Sequence, residues 1–359
     1  MSELSPPAKP AVTPTDQVQP VRAEHALDEA KLAGYLAEHI DGFTPPLSLG
    51  QCQGGMSNPT FVLTDAAGKN YVLRKKPPGD LLPSAHAVDR EYRVITALGP
   101  TEVPVPETYV LCEDENIIGQ AFYVMGFENG RVFRTLTLPG MTADERAAIY
   151  AAMGDTLAKL HKVDFNAVGL DTFGRIGGYA ERQVARWSKQ YEAQKTDDLT
   201  DMDSLMDWLP AHMPTGTETT LVHGDFRLEN MIFHPTEVRV LAVVDWELST
   251  LGDPMSDLAY NCLPYYMPDP NRGDITNLDP ATGIPLMPDY VAAYAAATGR
   301  RAEADWTFYV VLSLFRIAAI AQGVYYRGLQ GNASSPEALK RKDSARNFSR
   351  LAWQLVEGR

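Results

Sequence analysis

The sequence predicts an α+β protein of two lobes: a small antiparallel sheet with one inserted helix, then a larger, mainly helical lobe. Three observations carry this prediction. Strand-like segments separated by turn residues crowd into residues 51–128. One helical pattern, Ala85 to Leu98, interrupts them. From about residue 142 the apolar residues recur at helical spacing, and one short hairpin, 229–246, breaks the run. The lobes are expected to join near Gly126 to Gly130, giving a disordered tail at 1–22, a first lobe at 23–128 and a second at 129–359.

Residues 1–22 contain five prolines and few large apolar groups, a composition that cannot bury a core. ALDEAKLAGYLAEHI then sets Leu27, Leu32, Tyr35, Leu36 and Ile40 at roughly helical spacing, and Gly42 follows as a stop. QCQGGMSNPTFVLTDAAGKNYVLRKKP reads as strand, Gly-rich turn, strand, hairpin turn and strand. In the helix at 85–98, Val88, Tyr92, Ile95 and Leu98 share a face. TYVLCE and AFYVMGFE are two more strands around a turn at Asp114 to Gly119. The second lobe opens on a helix with Thr142 as N-cap and Glu145 three residues on, a capping box. Further helices are expected around 178–194 and 201–209 and over most of 288–359. The apolar run Phe308 to Tyr326 contains Arg316 and Gln322, which a lipid-facing span would rarely tolerate, so it reads as a buried helix rather than a membrane span.

A formal net charge of −14 disfavours nucleic acid as a partner, because phosphate binding needs a basic face. Cys52, Cys112 and Cys262 are few and widely spaced, which argues against a disulfide framework or a zinc site and fits a reducing, cytoplasmic setting. The MSELSPPAKPAVTPT stretch has no apolar core of a secretory signal. Oligomeric state is open.

The most informative stretch is LVHGDFRLENMIFHPTEVRVLAVVDWELSTLGDP. Asp225 follows His223 and Gly224, Asn230 comes five residues later, and Asp245 ends an apolar strand. This is the residue set that phosphoryl transfer to a hydroxyl requires. One carboxylate takes or orients the hydroxyl proton, and hard oxygen ligands hold the magnesium that neutralises phosphate charge. Asp225 suits the first task; Asn230 and Asp245 suit the second. His223 reads as a packed core histidine.

The motif H-G-D-x-x-x-x-N followed by an apolar strand and D-W-E resembles the aminoglycoside phosphotransferase and choline kinase superfamily, whose fold is similar to that of protein kinases. The resemblance covers nearly the whole chain after the tail. It implies ATP and Mg2+ as cofactors and a small-molecule acceptor. It also implies a nucleotide site in the first lobe. Gly55, Ser57 and Asn58, in the turn GGMSN, would approach the phosphates. Arg74 would stand where many relatives carry lysine, with Lys76 on the same sheet face as a reserve and Lys75 on the other. Glu91 on the following helix would pair with this cation, and Met125 and Phe127 would meet the adenine. RKKPPGDLLPSAHAVDREYRV, RQVARWSKQY and DWELSTLGDP resemble the kinase-like domains that accompany acyl-CoA dehydrogenases. That resemblance implies a hydroxyacyl-CoA-like acceptor and a functional link to an acyl-CoA dehydrogenase, with Arg182, Arg186 and Lys189 sharing one helix face for acyl-CoA phosphates. An aminoglycoside acceptor would instead need acidic groups such as Glu247, Asp253 and Asp257. Tyr265, Tyr266, Trp306 and Arg316 are candidate pocket walls, and Asp253 has a second reading as a helix cap. The rival to an active kinase is a pseudokinase or interaction module, for which Arg74 in place of lysine is the main support. A protein kinase is disfavoured because no A-P-E element follows Asp245.

Overall fold

The structure is a computed structural model, and it describes residues 11–52, 58–77, 87–215, 218–269, 271–301, 303, 305–331 and 336–358. Among these, a six-stranded antiparallel sheet comprises β1 (Val18–Gln19), β2 (Ser48–Cys52), β3 (Thr60–Thr64), β4 (Asn70–Lys75), β5 (Thr108–Cys112) and β6 (Phe122–Gly126), in the order β1-β2-β3-β4-β6-β5. The hairpin between β3 and β4 closes on Asp65, whose carboxylate accepts from Ala67 N–H at 3.0 Å and Lys69 N–H at 2.8 Å, an Asx-type turn.

Strand alternation gives the sheet two jobs. One face, with Phe61, Leu63, Tyr71, Leu73, Phe122 and Val124, packs under α1 (Glu29–His39) through Leu32, Leu36 and Ile40. Asp28 caps α1 by accepting from Lys31 N–H at 3.0 Å. The opposite face turns Val62, Val72, Arg74 and Met125 toward a cleft. The inserted helix α2 (Val88–Leu98) buries Val88, Glu91, Val94, Ile95 and Leu98. Its expected start at Ala85 falls outside the described residues.

A short helix, α3 (Glu115–Ile118), lies between β5 and β6, and the second lobe, which includes α6 (Thr200–Ala211) and α8 (Met287–Thr298), is mainly helical. α4 (Ala143–Lys162) begins with the expected capping box between Thr142 and Glu145. The helices α5 (Tyr179–Gln194), α7 (Pro254–Asn261) and α10 (Ser344–Val356) pack on α9 (Trp306–Leu329). α9 is long and apolar enough to cross a membrane by length and composition, but most of that stretch is buried inside the protein. Two small ribbons, β7 (Thr220–Val222) with β10 (Thr250–Gly252) and β8 (Met231–Phe233) with β9 (Val240–Val243), frame the cleft floor.

One expectation is corrected. Residues 11–22 form structure rather than a disordered tail. Pro14–Gln17 is a 3-10 turn with its own capping box, from Thr13 and Asp16. β1 pairs with β2, and Val12 bridges Val132 through backbone hydrogen bonds of 3.0 and 2.8 Å. Composition missed this because the segment is held largely by backbone groups, which carry no side-chain signature.

Candidate active site

The β8–β9 ribbon explains how residues 230 and 245 meet. Met231 pairs with Val243, and Val244 N–H donates to Asn230 C=O at 2.9 Å, so the chain ends on either side of the ribbon run side by side. Asp245 then takes a left-handed backbone conformation, φ 69°, which turns the chain into the buried Trp246. Aspartate tolerates that region better than most residues, and such conformers concentrate at functional sites.

Asp225 sits on the loop after β7. Asn230 Nδ2 donates to its Oδ2 at 3.0 Å and to its backbone carbonyl at 2.8 Å. Tyr260 Oη donates to Oδ1 at 2.7 Å, and Arg227 Nε lies 3.3 Å from Oδ2. Because the Asn230 amide nitrogen is engaged with Asp225, its amide oxygen is the group left to face the cleft. The loop itself is held from below. Asp257 accepts from His223 N–H at 2.6 Å and Gly224 N–H at 2.8 Å, and His161 Nε2 lies 3.3 Å from the same carboxylate. His223 is fully buried; its Nδ1 accepts from Asp225 N–H at 3.2 Å and its Nε2 donates to Val244 C=O at 3.1 Å. It therefore staples the two loops together, as a packed histidine would.

Gly224 has φ 82°, and a Cβ there would come within 2.6 Å of the Leu248 carbonyl oxygen. Only glycine fits, because the loop bearing Asp225 and the turn following Asp245 touch at this point.

From the sheet, Arg74 reaches across the cleft. Its Nη1 is 2.8 Å from Glu91 Oε2 and its Nη2 donates to Asp245 Oδ1 at 3.1 Å. Burial works against the guanidinium charge, but Glu91 and Asp245 outweigh it and raise the Arg74 pKa. Glu91 is fully buried and also accepts from Asn58 Nδ2 at 2.5 Å and Tyr123 Oη at 3.0 Å. The sequence-derived quartet of Arg74, Glu91, Asn230 and Asp245 thus converges, with Asp225 beside it. Arg74 lines the cavity, and Lys76 is not among its lining residues. Gly55 and Ser57 lie outside the described residues; Asn58 is buried against Glu91.

A cavity of about 430 Å³ joins these groups, within the usual range for a small-molecule site. Arg74, Asn230 and Asp245 line one part; Met125, Gly126, Phe127 and Glu128 line another. Val62, Val72, Ile232 and Val244 supply apolar walls. Pro14, Gln17 and Arg134, none of them anticipated, also line it, as do Arg227 and Glu229.

The acceptor residues proposed from sequence fare differently. Asp253 is 2% exposed, caps α7 by accepting from Met255 N–H at 2.9 Å, and accepts from Tyr309 Oη at 2.8 Å; it is a structural cap, not a pocket wall. Tyr265 donates to Pro285 C=O at 2.9 Å and is packing. Glu247 is half-buried in the turn after Asp245 and does not line the cavity. Trp306 Nε1 donates to Tyr266 Oη at 2.8 Å, which uses both on each other. Arg182 folds back onto the carbonyls of Gly177 and Arg175, so it does not act with Arg186 and Lys189 as one basic face. Arg316 does reach the site: Nη2 donates to Gly224 C=O at 2.9 Å, and the guanidinium lies 5.1 Å over the Tyr260 ring and 5.8 Å from that of Trp187.

Two residues on Asp225 escaped the sequence reading. Arg227 stood inside the quoted motif, two positions after the aspartate. Tyr260 lies one helical turn past Asp257, the residue that anchors the loop, and only that helical spacing hinted at it.

The phosphotransferase enzyme family matches residues 48–309. A crystal structure from Ralstonia eutropha, assigned to the aminoglycoside phosphotransferases, superposes with a TM-score of 0.85 at 46% identity, covering 93% of this chain and 99% of that one. An aminoglycoside phosphotransferase solved with AMP-PNP and hygromycin B has a TM-score of 0.59 at 17% identity over 92% of this chain and 99% of its own, which shows a shared two-lobed fold. Among curated proteins, acyl-CoA dehydrogenase family member 10 of Mus musculus is 46% identical over 94% of this chain and 32% of its own length. Family member 11 of Rattus norvegicus is 44% identical over 93% and 44%. The chain thus spans less than half the length of these two relatives. By the family match and by its 46% identity to the Ralstonia protein, the chain belongs to the phosphotransferase enzyme family.

Proposed function

We propose that this chain transfers the γ-phosphoryl group of ATP to a hydroxyl of a small acceptor. The observation that carries this reading is the convergence of Asn230, Asp245 and Arg74 on one edge of a cavity that also holds the Met125–Glu128 stretch, with Asp225 hydrogen-bonded to Asn230 beside it. Phe127 and its neighbours are the groups that would meet the adenine. Arg74, positioned by Glu91, would grip the phosphates.

The donor set fits magnesium. Asn230 offers an amide oxygen and Asp245 a carboxylate that is 36% exposed, both hard ligands on adjoining strand ends. Magnesium is commonly held by one or two carboxylates plus substrate phosphates, so a larger cluster is unnecessary. Among the described residues no group of three or more His, Cys, Asp and Glu is arranged for a metal. When bound, the ion would neutralise charge on the phosphates. The chain's own part is proton handling and positioning. Asp225 accepts the acceptor's hydroxyl proton as the oxygen–phosphorus bond forms and the bond to the β-phosphate oxygen breaks, releasing ADP. Tyr260 and Asn230 fix the carboxylate's two oxygens so that its orientation does not have to be found during the reaction.

For the acceptor, we favour a hydroxyacyl-CoA-like molecule over an aminoglycoside. The names of the curated relatives support this, as does the cation Arg316 beside the Asp225 loop. A link to an acyl-CoA dehydrogenase follows from the same names. The three free cysteines, two of them buried, support a cytoplasmic setting.

The test is magnesium-dependent turnover against hydroxyacyl-CoAs, aminoglycosides, choline and amino alcohols. Asp225→Asn is the control and should lower turnover at least ~10²-fold while nucleotide still binds. Equal turnover in the variant would remove Asp225 from the role of base. Tight nucleotide binding without transfer to any acceptor would favour the nucleotide-binding pseudokinase.

A further inference from the structure

Residues 11–19 cross the cleft and are fastened at both ends. At one end, Val12 exchanges two backbone hydrogen bonds with Val132, just beyond the junction of the lobes. At the other, β1 pairs Val18 with Cys52 and Gln19 with Gln51, on the strand that leads into the Gly-rich turn. Gly50 makes room for this docking: a Cβ there would lie 2.2 Å from Val18 Cγ1. Between the two anchors, the Thr13–Asp16 capping box shapes the turn, and Gln17 accepts a hydrogen bond from Arg134. Pro14, Gln17 and Arg134 line the same cavity as Met125 and Asp245.

From this geometry we infer that segment 11–19 is a binding element for the nucleoside triphosphate, forming a wall of its site with Gln17 and Arg134 as the polar contacts. The inference rests on reading the cavity as the nucleotide site. The segment lines the cavity without filling it, since about 430 Å³ stays open, so its docking favours binding rather than blocking it. It also bridges both lobes, so nucleotide and segment each stabilise the other's bound position. Linkage requires this to be reciprocal.

The experiment measures AMP-PNP affinity by calorimetry, with magnesium, in the full chain and three variants. Gly50→Val puts a side chain where Val18 Cγ1 sits and so displaces β1 from its edge position beside β2. Val12→Pro removes one donor of the far anchor. Gln17→Ala removes the contact itself. The first two should weaken binding about tenfold and Gln17→Ala less, the scale expected when a pre-ordered wall is lost. In wild type, AMP-PNP should slow hydrogen exchange at the Val12 and Val18 amides. Circular dichroism checks that each variant folds; if Gly50→Val does not, Val12→Pro and the exchange measurement still decide. Unchanged affinity in the folded variants, with unchanged exchange in wild type, overturns the inference. If wild type binds no AMP-PNP, both this inference and the proposed function fall. If binding weakens as expected but no acceptor is phosphorylated, the wall stands and the kinase reading alone fails.

Discussion

The two sides of Asp225 are built on different principles. Toward the cavity, the residues come from separate elements of both lobes and meet in polar contacts: Arg74 from β4, Glu91 from α2, Asp245 after β9. Toward the acceptor, side chains of similar type are mostly spent on packing. Asp253 caps a helix, Tyr265 holds a carbonyl, and Trp306 and Tyr266 bond each other. The difference teaches that the chemistry of transfer is fixed by a few groups whose positions the backbone dictates. On the proposed function, acceptor choice falls to what borders Asp225, namely Tyr260, Arg316 and Arg227.

The largest test of this contrast is Asp245→Ala. It should abolish magnesium-dependent nucleotide binding, read by calorimetry with and without the ion; unchanged binding would break the metal assignment. Next comes Arg74→Ala. It leaves Glu91 buried without its cation, which should cost about 3–5 kcal/mol of stability in urea unfolding, and it should raise the ATP KM. A stability loss with an unchanged KM would make Arg74 a purely structural tie. Tyr260→Phe sharpens the comparison on the acceptor side. Losing one hydrogen bond of about 0.5–1.5 kcal/mol should lower kcat roughly two- to tenfold, with the ATP KM unchanged; a shift confined to the ATP KM would move Tyr260 out of the acceptor half.

The smallest effect concerns the buried support beneath the loop. Burial pushes the His161 imidazole below its usual 6.5, against the opposing pull of Asp257. A histidine whose folded pKa is depressed stays neutral while the unfolded chain takes up a proton. Its contribution to stability is therefore complete above pH 6.5 and is lost as pH falls below it, at no more than about 1.4 kcal/mol per pH unit. Urea titrations between pH 7.5 and pH 5 should show that decline, and His161→Gln should flatten it; an equal slope in the variant would assign the acid sensitivity elsewhere.

The two-lobed fold and the phosphotransferase family were legible in the sequence because both rest on local patterns. H-G-D-x-x-x-x-N is short, its aspartate and asparagine meet within one loop, and the apolar strand before Asp245 marks the returning ribbon. Helix and strand periodicities placed α1, α2, α4 and α9 within a few residues. The acceptor wall was not legible, because the same tyrosine or aspartate serves packing or recognition depending on tertiary neighbours. Asp253 illustrates this: GDP at a helix start is a cap signal and an acidic-pocket signal at once, and its burial against Tyr309 decides for the cap. Tyr260 reaches Asp225 from 35 residues away, a separation no motif spans.

The contact at Gly224 has a consequence for how such a site diversifies. With no space for even a methyl group between this glycine and the Leu248 carbonyl, the loop carrying Asp225 and the turn following Asp245 are interlocked like two links of a chain. Neither can be adjusted alone. The spacing between Asp225 and Asp245 is thus tied to this one backbone contact. Substitutions on α7 and α9 that keep Asp257, Tyr260 and Arg316 can remodel the neighbouring surface without releasing the loop that carries Asp225.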